Sequence, residues 1–226
     1  MASDGIAIET LLQIGPLSLS VSLLTCIVLT VVIGALGWLL TRNLTLLPAP
    51  MQVVLEGALA ALEGAVSQVA GQHAPRIMPF IASLWVFLVC ANLLGLVPGL
   101  HSPTRDLSVT AALAVLVFLS VHWFGIRTQG LRRYLRHYLD SGLLMLPFEL
   151  LSEVTRTVAL AVRLFGNMMS LEMAALLILM VAGFLVPVPI LMLHVVEALV
   201  QAYIFGMLAL IYIAGGIQTQ ETSKTE

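Results

Sequence analysis

Long apolar runs, parted by short polar or proline-rich stretches, follow one another from residue 17 onward. They do not alternate with period two, so they predict helices and not barrel strands. Leu17 to Leu40 (17–40) predicts a first spanning helix, with Gly34 and Gly37 allowing close helix contact. Arg42 follows, and Leu47-Pro48-Ala49-Pro50 breaks the pattern. Residues 51–72 read as a helix carrying Glu56, Glu63, Gln68 and Gln72. That segment is too polar to span easily and predicts an interfacial helix or one packed on a partner. A second span over 79–97 contains Trp85 and Asn92 and ends at the turn signal Gly95-Leu96-Val97-Pro98-Gly99. After a short polar loop, 107–124 predicts a third span with Trp123 and Phe124 at an interface. Residues 125–140 form a basic loop. Residues 143–185 contain no polar break, and at about 1.5 Å per residue they are too long for one upright span. Pro187-Val188-Pro189 closes that region, 190–214 predicts a last apolar helix, and the tail from Gln218 predicts a frayed polar end.

Composition turns this pattern into a class. Of 226 residues, 60% are hydrophobic and only 10% are charged, with a mean hydropathy of +1.05. A soluble domain is nearer a quarter charged, so the chain is an all-α integral membrane protein. The net charge of −2 offers nothing to nucleic acid. Met1 to Gln13 carries Asp4 and Glu9 and no cation, the wrong charge for a signal peptide, so the first run reads as a retained helix. Arg127, Arg132, Arg133 and Arg136 directly follow the third span and place residues 125–140 in the cytoplasm. Counting spans from there puts the N-terminus outside and the C-terminus inside, and Arg42 and Arg76 on the inner side agree. Cys26 and Cys90 lie inside apolar runs, without spacing for a disulfide framework or zinc. No GxSxG or phosphate-cradling loop occurs. The sequence therefore predicts no cofactor, no metal site and no catalytic centre.

Chemistry is carried by the few polar residues inside the last two apolar regions. Arg163 stays charged wherever it sits. Burying it near a bilayer centre costs about 2.5 to 17 kcal/mol, so it needs a carboxylate, a wet cavity or a route to the interface. On one helix, Glu149, Glu153, Arg156, Arg163, Asn167 and Ser170 share a side, a polar stripe that must face water or protein. Glu172 falls about half a turn round from Arg163 and wants a different partner. His194, Glu197 and Gln201 share a face of the last helix at i, i+3 and i+7. Histidine in such a helix is either a satisfied structural residue or part of a proton relay with the nearby carboxylates. The relay reading predicts that Glu172 and His194 face each other. A secondary transporter with a midplane site or a polytopic membrane enzyme are the rival classes. The first would show inverted repeats and the second a nucleophile or metal triad, and the sequence displays neither.

Arg163-Leu164-Phe165-Gly166-Asn167-Met168 resembles the signature of the a subunits of rotary F-type ATP synthases. Asn92 to Gly99, Pro103 to Thr110, Glu149-Leu150-Leu151-Ser152 and Gln201 to Phe205 resemble that family in the same order, over roughly residues 79–214. The resemblance implies a non-catalytic, ion-translocating stator in a bacterial-type plasma (inner) membrane. It implies a long, steeply tilted, near-horizontal hairpin of helices packed against a ring of c subunits. It also implies b-type peripheral stalk subunits and the rest of the ATP synthase as partners. Arg163 matches the family's essential arginine, and Asn167 sits beside it. Glu172, His194 and Gln201 match the outer half-channel, and Glu149 matches a carboxylate near the cytoplasmic one. Leu171 and Glu197 depart from the commonest pattern, Glu197 adding an acid to the outer pathway. The coupling ion, H⁺ or Na⁺, depends mainly on the ring.

Overall fold

The computed structural model describes residues 10–14, 17–42, 50–96, 102–130, 146–182 and 187–222. Most of the predicted basic loop (131–140), residues 143–145, the break at 183–186 and residues 223–226 lie outside them.

The chain opens on a short antiparallel ribbon, β1 (Thr10–Ile14) with β2 (Leu17–Ser20), in which Ile14 pairs with Leu17 and Gln13 with Ser18. Helix α1 (Val21–Thr41) follows. The first helix therefore starts later than Leu17. Leu17-Ser18-Leu19-Ser20 has the two-residue alternation of a strand, and a short apolar run cannot be assigned by hydrophobicity alone. No residue of α1 is buried.

Helix α2 (Pro50–Ala70), a one-turn 3-10 segment (Gly71–His73) and α3 (Ala74–Leu93) come next. Gly71 takes φ 52° at the junction, a conformation glycine adopts without steric cost. Glu56 and Glu63 on α2 are exposed, while its Val66 and Ala70 join the core with α3 and the last helix. Helix α3 begins before the predicted Pro79. Pro75 occupies its first turn, and Pro79 lies inside it, where it removes one ladder hydrogen bond. The buried Ile77, Ile81, Leu84 and Leu88 on either side hold the helix through that point.

A 3-10 turn, Pro103–Arg105, leads into α4 (Leu107–Gln129). Asp106 caps α4 by accepting from the Ser108 backbone N–H at 3.0 Å, satisfying one of the donors a helix start leaves open. Gly130 ends it at φ 84°. Helices α5 (Leu146–Ala182) and α6 (Pro187–Thr222) have 37 and 36 residues. Pro187 opens α6 instead of separating it from the preceding element, since a first-turn proline has no donor to lose. The last helix also continues past Gln218 to Thr222, in a stretch without Gly or Pro to stop it.

Among the described residues, five helical stretches are long and apolar enough to cross a membrane: Val21–Thr41, Leu55–Leu96, Leu107–Thr128, Leu150–Ile178 and Leu191–Ile217. The chain is an all-α membrane protein with a small N-terminal ribbon. Its core runs between α3, α4, α5 and α6, around Leu84, Val117, Leu164, Phe205 and Leu210. The tightest approach is at Gly206, where a Cβ would overlap the Trp85 indole. Trp85 in turn stacks on Tyr203, with ring planes 10° apart.

Candidate ion pathway

Helices α5 and α6 carry the polar residues singled out in the sequence and set them on different surfaces. Arg163 is exposed on α5, and among the described residues it makes no hydrogen bond or ion pair. Gly166 beside it is exposed, and a Cβ there would meet nothing within 4 Å. One face of α5 thus presents a bare cation beside a flat, open strip of backbone.

The next polar residue turns inward. Asn167 donates from Nδ2 to Gln201 Oε1 at 2.7 Å, joining α5 to α6. Gln201 is 1% exposed, and its Nε2 has no partner among the described residues. Two turns earlier on α6, His194 is 3% exposed, and its Nε2 is also unpartnered among the described residues. Buried polar atoms of this kind are costly unless water or an ion visits them. Glu197, between the two, is half-buried and has no hydrogen bond or ion pair among the described residues.

Above His194 lies a polar network that the sequence reading missed. Ser102 Oγ donates its one hydrogen to the Ala91 carbonyl at 2.9 Å or to Thr104 Oγ1, which lies 2.6 Å away. Thr104 Oγ1 donates to Asn92 Oδ1 at 2.9 Å, and Asn92 Nδ2 donates to the Ala198 carbonyl on α6 at 3.2 Å. Gly95 makes room for this closure. A Cβ there would stand 3.1 Å from Ser102 Cβ and 3.7 Å from His194 Nε2. Asn92 inside an apolar span was the one visible sign of the network.

Glu172 does not face His194 as a direct partner. Its Oε1 accepts from Arg105 Nη1 at 3.1 Å. By sequence Arg105 is only one residue of the short polar loop before the third span. Helix α4 instead runs antiparallel to α5, which brings the turn before α4 level with the C-terminal half of α5. At the other end of the same helix pair, His122 Nε2 on α4 lies 3.4 Å from Glu153 Oε2 on α5. Glu149 falls in the first turn of α5, and its side chain lies outside what the structure describes. Arg156 has its guanidinium carbon 5.6 Å from the Tyr212 ring centroid on α6.

The arrangement is a bare arginine on an open helix face, with buried unpaired polar atoms on the helix behind it and an ionic contact at each end. Known proteins are similar to this chain in sequence. The ATP synthase A chain family matches residues 22–214. The chain is 56% identical to "ATP synthase subunit a 2" of Pelobacter propionicus, over 96% of this chain and 95% of that protein. It is 57% identical to "ATP synthase subunit a 1" of Hahella chejuensis, over 96% and 92%. It is 52% identical to "ATP synthase subunit a" of Legionella pneumophila, over 98% and 96%. The chain therefore belongs to the ATP synthase A chain family, the a subunits of F-type ATP synthases.

Proposed function

We propose that this chain is the non-catalytic stator that carries ions to and from a rotating ring of c subunits, with α5 and α6 against the ring. The observation that carries the reading is Arg163, an exposed charge midway along a long, largely apolar helix and without a partner among the described residues of its own chain. A carboxylate supplied by another subunit resolves it. At about 1.5 Å per residue, α5 and α6 are each about 55 Å long, against a hydrocarbon core of about 30 Å. They lie steeply tilted, as a near-horizontal hairpin along the ring.

Arg163 favours the ionised form of each ring carboxylate that arrives, so the carboxylate gives up its proton or sodium ion there. The same charge repels a free cation and prevents a direct leak between the two sides. Glu172, His194, Glu197 and Gln201 line the outer half-channel. Glu149 serves the cytoplasmic one, and Asn167 sits between, beside the arginine. A charge crossing the membrane releases about 2.3 kcal/mol per 100 mV, and the offset of the half-channels turns that into rotation. A b-type peripheral stalk holds the stator still. The chain sits in a bacterial-type plasma membrane with its N-terminus outside and its C-terminus in the cytoplasm.

The test is ATP-driven ion pumping in vesicles by the purified complex. A ring of small hydrophobic subunits should co-purify with the chain. Arg163→Ala should assemble and abolish pumping, and Arg163→Lys should nearly do so, since lysine has neither the planar fork nor the fixed charge. Normal pumping by the assembled Arg163→Ala complex would overturn the reading. Sodium dependence of ATP hydrolysis by the whole complex identifies the ion.

A further inference from the structure

We infer that His122 and Glu153 together form a one-proton site in the cytoplasmic half of the pathway, an inference that rests on the stator reading above. His122 Nδ1 lies 2.9 Å from the Phe118 carbonyl. A carbonyl only accepts, so Nδ1 carries a hydrogen and is committed as a donor. Nε2 is then the ring atom free to gain or lose a proton, and it stands 3.4 Å from Glu153 Oε2. With no proton between them, a nitrogen lone pair would face a buried carboxylate oxygen. One added proton resolves this, as imidazolium with carboxylate or as imidazole with carboxylic acid.

The surroundings suit exchange. The two side chains are 27% and 23% exposed, so water touches the couple, although Glu153 Oε2 itself is buried. The Phe118 ring lies 4.4 Å from the imidazole, centroid to centroid, and covers one side. Among the charged groups nearby, Arg156 is drawn to the Tyr212 ring, and Arg127 is exposed in the last turn of α4. Position gives the couple its role. Glu153 precedes Arg163 by ten residues on α5, about 15 Å along the helix. His122 lies near the end of α4 that leads into the arginine-rich segment. The couple thus stands between the arginine and the cytoplasmic face, at the opposite end of α5 from Arg105 and Glu172. During ATP-driven pumping, hydronium on the cytoplasmic side loses a proton to the couple and leaves as water. The couple then releases that proton through water to the ring carboxylate beyond, and its own N–H or O–H bond breaks as the ring's O–H forms.

The experiment uses the intact complex in sealed vesicles and follows ATP-driven proton uptake with a pH-sensitive dye. The variants are Glu153→Gln, Glu153→Asp and His122→Ala, each with the co-purified c ring measured as a control for assembly. Glu153→Gln and His122→Ala are expected to slow uptake about tenfold, the low end of what a positioned proton-transfer group contributes. The loss should deepen as the pH on the uptake side rises and hydronium becomes scarce. Glu153→Asp should keep most of the rate, and added imidazole should restore part of it to His122→Ala. Wild-type uptake by both disabling variants at every pH overturns the inference. So does a loss in assembled complexes that neither pH nor imidazole changes, which marks a merely structural pair. A wild-type complex that pumps sodium and no protons overturns it too, while leaving the stator reading intact. Normal pumping by Arg163→Ala overturns the stator reading, and this inference with it.

Discussion

Arg105 Nη1 donates to Glu172 Oε1 at 3.1 Å, and this contact fastens the turn before α4 to the C-terminal half of α5. The carboxylate is 13% exposed and the guanidinium 32%, so the pair is only partly desolvated. Breaking it should cost about 1–2 kcal/mol, between a surface pair and a buried one. Arg105→Glu and Glu172→Arg should each reduce the amount of assembled complex and its ion pumping. The double exchange should recover part of both, giving a favourable coupling in the cycle. Glu172→His with His194→Glu should recover nothing, because those two residues share no direct bond. Recovery in the second cycle and none in the first would reverse this assignment.

The sequence displayed the helices more clearly than their contacts. Apolar runs give α1, α3, α4, α5 and α6 directly, because lipid-facing helices need long stretches without charge. Leu17–Ser20 was misread because four residues of alternating Leu and Ser count as apolar in a long window. The helix starts at Ala74 and Pro187 are hidden because proline reads as a stop where it in fact opens or interrupts a helix, and the end at Thr222 because a polar tail reads as frayed. Arg163, Glu172, His194 and Gln201 stood out as polar residues in apolar surroundings. The partner of Glu172 did not, since Arg105 sits in a polar loop where nothing marks it as paired, and neither did Ser102 in the network around Asn92. His122 hid in an apolar helix, its carboxylate 31 positions away in sequence. Pairing across helices depends on the register of α4 against α5, which no local pattern records.

The Asn167–Gln201 hydrogen bond separates stability from function. Removing one amide leaves the other unsatisfied, and Gln201 is buried, so Asn167→Leu should cost about 1–3 kcal/mol. Removing both, with Asn167→Leu and Gln201→Met, should restore much of the stability. Pumping should stay low in the double variant, because the polar link behind Arg163 is gone. The checks are the thermal midpoint of the solubilised complex and its ATP-driven pumping. A double variant that is stable and pumps normally would remove the amides from the pathway.

Gly206 tests the packing of α3 on α6. Its missing Cβ admits the Trp85 indole, so Gly206→Ala forces the ring or the helix to move. Overpacking of this kind costs about 1–3 kcal/mol, and the complex should assemble poorly and melt earlier. Adding Trp85→Leu to Gly206→Ala removes the overlapping ring and should recover assembly. A Gly206→Ala variant as stable as wild type would mean that the helices are further apart.

Orientation can be read by labelling, and the structure decides where the reporters go. Cys26 and Cys90 are both free thiols and half-buried, so a Cys26→Ala, Cys90→Ala background comes first. Ser102 is the natural choice for the outer loop by sequence, yet it is 4% exposed and hydrogen-bonded. A cysteine there would be silent and would unlatch the network above His194. Ser108 is exposed at the start of α4, and Arg127 is exposed at its end. Ser108→Cys should react with an impermeant thiol reagent from outside the cell only. Arg127→Cys should react only in inverted vesicles, and the three further arginines at 132, 133 and 136 keep the positive-inside signal in place. Labelling in the reverse sense would turn the molecule over. The Arg105–Glu172 contact would then lie toward the cytoplasm, the His122–Glu153 couple toward the outside, and the two half-channels would exchange names.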